Sequence, residues 1–210
     1  MIRVLLVDDH RLVRASLRSV LDGADGVEVA GEAASGEDAI GQARDAAPDV
    51  VLMDVNMPGI GGLEATRRLR MAAPAARVIA LTAHRDDPYP AQMLDAGAAG
   101  YLTKDCAPDE LVDAIRRVAA GETWIDGAVA RRLAGDRLAR RPAGSPLAAL
   151  SARELQVLQM VTRGAATKDI AETLGLSPKT VATYRYRLYE KLGVTNDVEL
   201  ARLALRHGVD

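Results

Sequence analysis

Up to Gly121 the apolar positions of the chain switch between two periods, and the switches recur five times. Ile2 to Val7 is a short apolar run that ends in Asp8-Asp9. Leu12, Val13, Leu17, Val20 and Leu21 follow at helical spacing and stop at Gly23. Val27 to Ala30 reads as a second strand, and Gly36 to Ala47, before Pro48, as a second helix. Val50-Val51-Leu52-Met53 is a continuous apolar run into Asp54, the signature of a strand buried on both faces. A turn (Pro58, Gly59, Gly61, Gly62) and a helix from Leu63 to Met71 come next. Arg77 to Leu81 is a fourth strand ending at Thr82, and Ala91 to Ala96 a fourth helix closed by Gly97. Gly100 to Thr103 is a fifth strand ending at Lys104, and Pro108 to Ala120 a fifth helix closed by Gly121. Strands alternating with helices in this way predict an α/β domain, a doubly wound five-stranded parallel sheet.

From Ser151 onward the strand signal disappears. Ser151 and Glu154 have capping-box spacing ahead of Leu155, Leu158 and Val161, and this helix stops at Gly164. Lys168 to Leu174 is a short helix closed by Gly175. Ser177-Pro178 opens a third that runs to about Lys191, and Asp197 to Arg206 forms a fourth. The tight Gly175-Leu176-Ser177 connection predicts a helix-turn-helix in a second, smaller all-α domain. Between the halves lie Trp124, expected to pack against the first domain, an Arg/Ala-rich helical patch, and the boundary Arg141-Pro142-Ala143-Gly144-Ser145-Pro146. The expected division is 1–122, a linker over 123–148, and 149–210.

Charge separates the two halves further. Residues 1–124 carry 13 Lys/Arg against 20 Asp/Glu, whereas residues 125–210 carry 14 against 9. A basic second half predicts a polyanionic partner for that half alone. An apolar fraction of 49% excludes a disordered chain. The single cysteine, Cys106, excludes an intramolecular disulfide and suits a reducing compartment. The amino-terminal apolar run is too short for a signal peptide or a membrane span, so a soluble, cytoplasmic protein with no membrane partner is expected.

The polar residues at the strand ends carry the chemistry of the first half. In a parallel sheet these ends share one edge, so Asp8, Asp9, Asp54, Thr82 and Lys104 converge there. Three packed carboxylates repel one another unless a cation is bound, and hard oxygen donors suit Mg²⁺. No His or Cys lies in this set, which argues against zinc. In the second half, the third helix places Val181, Leu188 and Leu192 on one side. Lys179, Ala182, Thr183, Tyr186, Arg187 and Glu190 lie on the other, a face suited to phosphates and base edges in a major groove.

These residues carry a resemblance. Asp8-Asp9-His10, Met53-Asp54-Val55-Asn56-Met57-Pro58-Gly59, Leu81-Thr82-Ala83 and Gly100-Tyr101-Leu102-Thr103-Lys104 resemble the flavodoxin-like receiver domain of two-component response regulators. Asp105 departs from the Pro that many receivers place after this lysine. Leu150-Ser151-Ala152-Arg153-Glu154, Ile170-Ala171, Leu176-Ser177, Lys179-Thr180-Val181 and Lys191-Leu192 resemble the LuxR-type helix-turn-helix. Together they look like a NarL/FixJ-type regulator. Met57 to Arg67, Ser177 to Val181 and Thr183 to Arg187 match the GacA/UvrY group more finely, with Ala182 where that group usually has Asn.

The resemblance implies that Asp54 is the phosphoacceptor of a sensor histidine kinase. Mg²⁺ would be held by Asp8, Asp9, Asp54 and the backbone carbonyl of Asn56. Lys104 would pair with the phosphoryl oxygens, and Thr82 and Tyr101 would switch. Lys179, Thr180, Ala182, Thr183, Tyr186 and Arg187 would meet double-stranded promoter DNA. Phosphorylation would release a masked third helix and favour a homodimer through Val198, Ala201 and Leu205. Such a protein is not an enzyme beyond accepting and slowly losing its own phosphoryl group. A rival phosphohydrolase resembling the haloacid dehalogenases would want an acid at Asn56. A second alternative is a DNA-binding regulator whose receiver works without phosphorylation.

Overall fold

The computed structural model describes residues 1–83, 89–139, 146–207 and 209. Among the described residues it divides into two compact units, 1–83 with 93–130 and 89–92 with 131–209. In chain order the first half comprises β1 (Ile2–Val7), α1 (Arg11–Asp22), β2 (Val27–Ala33), α2 (Gly36–Ala46), β3 (Val50–Asp54) and α3 (Gly61–Ala72). β4 (Arg77–Thr82), α4 (Pro90–Ala96), β5 (Gly100–Thr103), α5 (Pro108–Ala119) and β6 (Trp124–Ile125) complete it. All strands are parallel, in the order β2-β1-β3-β4-β5-β6.

The sheet thus has six strands where the periodicity predicts five. Two residues are too short to display an alternation. What makes β6 a strand is the exposed edge of β5, where Trp124 and Asp126 donate their amides to Ala99 and Tyr101. Trp124 packs partly buried on the first core, with the Arg117 guanidinium 5.0 Å from its ring centroid. The second strand also runs further than expected, to Ala33. Its register against β1 slips between Val4 and Leu5, and the irregular Gly31-Glu32-Ala33 tail masks the pattern. α2 ends one residue early: Ala47, barred from the helical conformation by Pro48, turns left-handed at φ 41°.

Alternation along each strand builds a core on each side of the sheet. Val4, Leu6, Leu52, Ile79, Leu81 and Leu102 meet Leu21 of α1 and Leu111, Ile115 and Val118 of α5. Leu5, Val7, Val51, Met53 and Val78 meet Ala39 and Ala43 of α2 and Ala65 and Leu69 of α3. Every residue of β3 is buried, and each such apolar side chain contributes roughly 1.5–3 kcal/mol.

The register of these strands positions the chemistry. Val7 pairs with Met53, so Asp8 comes level with Asp54. Thr82 pairs with Thr103, and the Lys104 amide donates to the Thr82 carbonyl. Gly62, at the start of α3, comes so close to this edge that a Cβ there would lie 2.1 Å from the Asp54 carbonyl oxygen.

In the second half, α6 (Gly127–Ala139) crosses the point where the units part, and a 3₁₀ turn spans Pro146–Ala149. Of the expected boundary Arg141–Pro146, all but Pro146 lies outside the described residues. α7 (Ala152–Thr162), α8 (Thr167–Leu174), α9 (Pro178–Leu192) and α10 (Asp197–Arg206) follow. Ser151 and Glu154 form the expected capping box, which satisfies two otherwise orphan amides of α7. α7 packs on α9 and α10, and α8 on α9.

Two glycines give opposite expectations. Gly62→Ala forces backbone apart and should destabilise the first unit by about 1–3 kcal/mol. Gly41→Ala, in the interior of α2 with open space around it, should stabilise it by roughly 0.5–1 kcal/mol. Denaturant unfolding followed by the fluorescence of the sole tryptophan, Trp124, reads both.

Candidate functional site

Asp54 ends β3 and is 2% exposed. Its Oδ1 accepts the Asn56 amide at 3.1 Å, and its Oδ2 lies 2.9 Å from Lys104 Nζ. The same ammonium lies 2.6 Å from Oδ2 of Asp8, itself fully buried. Asp8 Oδ1 accepts the His10 amide at 2.8 Å, and half-buried Asp9 places Oδ1 3.1 Å from His10 Nδ1. The side chains of Asp8, Asp9, Asp54 and Lys104 therefore meet at the edge to which Thr82 also belongs. Thr82 is buried at the end of β4, on the strand beside Asp54, and Tyr101 is fully buried in β5. The peptide joining Lys104 to Asp105 is trans.

Burial is the largest influence on Asp54 and pushes its pKa up. The Lys104 charge opposes that rise and the Asp8 charge adds to it. Burial works the other way on Lys104, but the Asp54 and Asp8 carboxylates outweigh it and hold the ammonium above the ordinary lysine range. Ligating atoms of Asp8, Asp9, Asp54 and His10 all lie within 4.8 Å of one another. This donor set, mostly carboxylate oxygen with net negative charge, fits a hard divalent cation such as Mg²⁺.

His10 corrects the expectation that no histidine joins the set. The chain turns back at the end of β1, with the His10 amide on Asp8, and this carries the ring over both acids. Its position directly after Asp8-Asp9 was the available signal. Arg14 was missed altogether. One turn into α1, its side chain points back toward the helix start and donates from Nη1 to the Asp8 carbonyl at 2.6 Å.

In the second unit, α8 ends at Gly175 in the left-handed conformation (φ +64°), which makes the sharp turn into α9. Ser177 caps α9 by accepting the Thr180 amide, and Pro178 takes the first helical position. Val181, Leu188 and Leu192 are buried. Lys179, Ala182, Thr183, Tyr186 and Arg187 are exposed, as the helical wheel predicts. Thr180 is only half-exposed, and its hydroxyl is engaged with Ser177 Oγ at 2.7 Å. The Tyr186 phenol, hydrogen-bonded to Glu190, is pushed above its ordinary pKa.

Three anchors that the wheel does not show fix α9. Lys191 pairs with Glu154 of α7 at 2.7 Å, and Tyr189 donates to Asp197 of α10 at 2.5 Å. Arg185 spans from Thr167 of α8, at 2.8 Å, to an ion pair with Asp197. An exposed, partly basic helix face held rigidly from behind is what reading a major groove requires.

Both halves match known families. Residues 4–116 match the response regulator receiver domain, and residues 148–204 match the bacterial regulatory proteins of the luxR family. The chain belongs to the two-component response regulators that carry a LuxR-type DNA-binding domain. It is 51% identical over 209 residues to response regulator UvrY of Escherichia coli strain K12, covering 100% of this chain and 96% of that protein. It is 49% identical to response regulator GacA of Pseudomonas aeruginosa, with 100% and 98% covered. RcsB from Salmonella enterica serovar Typhimurium, solved bound to promoter rprA with the phosphomimetic BeF₃⁻, superposes with a TM-score of 0.78 at 26% identity, covering 96% of this chain and 97% of that one. No helix among the described residues is long and apolar enough to cross a membrane.

The raised pKa of Asp54 has a consequence for stability. A group that binds its proton more tightly when folded stabilises the fold below its unfolded pKa, and this contribution is lost as pH rises through the folded value. At neutral pH the buried carboxylate is therefore a cost. Asp54→Asn removes the charge and keeps the shape, so in metal-free buffer it should unfold at higher denaturant than wild type. The gap should close as pH falls through the acid range. Equal stability at neutral pH contradicts the buried-charge account.

Proposed function

We propose that Asp54 takes a phosphoryl group from a sensor histidine kinase and that this charge controls binding of the second domain to promoter DNA. The observation that carries the reading is the single ammonium of Lys104 shared by two buried carboxylates, with Asp9 beside them. Asp8, Asp9, Asp54 and the backbone carbonyl of Asn56 would hold Mg²⁺. When bound, the ion offsets the negative charge that builds on the phosphoryl oxygens.

Transfer is a displacement at phosphorus. An Asp54 oxygen forms the new P–O bond, the P–N bond to the kinase imidazole breaks, and that imidazole leaves and regains a proton. Lys104, already 2.9 Å from Asp54 Oδ2, follows the added charge. Thr82 turns its hydroxyl to a phosphoryl oxygen, and Tyr101 moves with it. The group shifts the population toward an active form by no more than its differential stabilisation of the two states.

In that form, Lys179, Thr180, Ala182, Thr183, Tyr186 and Arg187 face DNA. Arg187 and Lys179 supply phosphate contacts, and Thr180 acts from its cap position. The exposed Val198 and Leu205 of α10 (68% and 57%) join two copies into a homodimer. The protein works in the cytoplasm and is not an enzyme beyond the slow loss of its own phosphoryl group. Asn56, tied to Asp54 through its amide, has no acid to protonate a leaving group, which counts against a phosphohydrolase. A receiver that works without phosphate leaves the buried charge cluster without a purpose.

The intact mass of the full chain after incubation with acetyl phosphate and Mg²⁺ tests the reading. Wild type should gain one phosphoryl group and Asp54→Ala none. Gain by both means that another residue is the acceptor. No gain by wild type from acetyl phosphate or from a sensor kinase contradicts the proposal.

A further inference from the structure

Behind the carboxylates lies a second layer of charge that the phosphoryl chemistry does not use. β1 ends its ladder at Val7, where it pairs with both Ala33 and Met53, so the Asp8 carbonyl lies beyond the last rung. Arg14 Nη1 meets that carbonyl at 2.6 Å. Arg14 Nε lies 3.3 Å from Glu32 Oε2, and Arg18 Nε lies 2.5 Å from Glu32 Oε1. Gln42 of α2 donates to the Glu32 backbone carbonyl at 2.5 Å and so ties the carboxylate's own strand in place. The Arg18 hydrogen bond, more than the Arg14 one, holds the Glu32 carboxyl below its usual range against the opposing effect of burial.

We propose that Arg14 is a positioning residue of the cation site: its guanidinium, oriented by Glu32, locks the Asp8–Asp9 peptide so that both carboxylates face Asp54. The inference rests on the reading of Asp8, Asp9 and Asp54 as Mg²⁺ ligands. The Asp8 backbone is then held at both ends, its amide on the Ala33 carbonyl at 3.2 Å and its carbonyl on Arg14. Rotation of the Asp8–Asp9 peptide, which would turn the Asp9 side chain away, is blocked. A guanidinium suits the task because its planar fork serves two acceptors at once in fixed geometry.

The role is separable from stability. The Arg14 side chain is 15% exposed and that of Glu32 31%, so loss of the bond to the Asp8 carbonyl lowers folding stability as well, and metal affinity measured on the folded chain separates the two effects. A partner that orients a metal ligand commonly changes metal affinity by about 10–100-fold.

Mg²⁺ titration of the full chain by calorimetry, with no phosphoryl donor present, tests the inference without reading activity. Arg14→Met should bind Mg²⁺ about 10-fold more weakly than wild type under metal-free conditions in which its unfolding curve shows it fully folded. Arg14→Lys, with one donor for the carbonyl and no fork for Glu32, should recover part of the affinity. Glu32→Gln should fall between Arg14→Met and wild type. Asp9→Asn is the control for the site itself. Loss of binding in Asp9→Asn with wild-type affinity in Arg14→Met overturns the positioning role and leaves the cation site standing. Wild-type affinity in Asp9→Asn overturns the site, and the inference with it.

Discussion

Two carboxylates, Asp8 and Asp54, are buried at the end of a parallel sheet and share one ammonium, Lys104 Nζ, at 2.6 and 2.9 Å. Asp9 adds a third acid beside them, so among the described residues one lysine ammonium faces three carboxylates and leaves the cluster short of positive charge. That imbalance is the constraint on which the first unit's function depends. It favours a divalent cation, and it makes the site responsive to a group bearing still more negative charge. The surrounding fold makes the imbalance tolerable. The register of β1 on β3 and of β4 on β5 delivers each group to one edge, Gly62 lets α3 begin against it, and Arg14 holds it from behind.

The second unit solves a different problem. Its functional face needs no buried charge, only a helix presented rigidly with polar groups outward. α9 meets that need with an apolar side of Val181, Leu188 and Leu192, and with polar anchors to each neighbouring helix. Arg185 and Lys191, which composition alone counts toward a basic surface, are committed to Asp197 and Glu154. The charge that faces outward on α9 is therefore smaller than the sequence total suggests.

Much of this was legible in the sequence because the signals were local. Apolar runs broken by Gly and Pro marked the strands and helices, and the capping box at Ser151 and Glu154 is an i, i+3 pattern. The set Asp8, Asp9, Asp54, Thr82 and Lys104 followed from one rule, that the ends of parallel strands share an edge. What stayed hidden depended on tertiary context. β6 exists because β5 offers an open edge, and two residues carry no period. The tail of β2 is concealed by a register slip, and with it the place of Glu32. His10 and Arg14 enter the site through a turn and a side-chain direction that periodicity does not encode. Thr180 is half-exposed and bonded to Ser177; the wheel leaves it off both faces, and it joins the DNA set only through the resemblance.

The central claim is that charge added at Asp54 in the first unit changes what α9 does in the second. Its most direct measurement is the affinity of the full chain for promoter DNA at one fixed salt concentration, before and after treatment with acetyl phosphate and Mg²⁺, for wild type and Asp54→Ala. The account predicts that treatment tightens binding by wild type and leaves Asp54→Ala unchanged. Equal affinity of treated and untreated wild type, with phosphoryl transfer verified by mass, contradicts it.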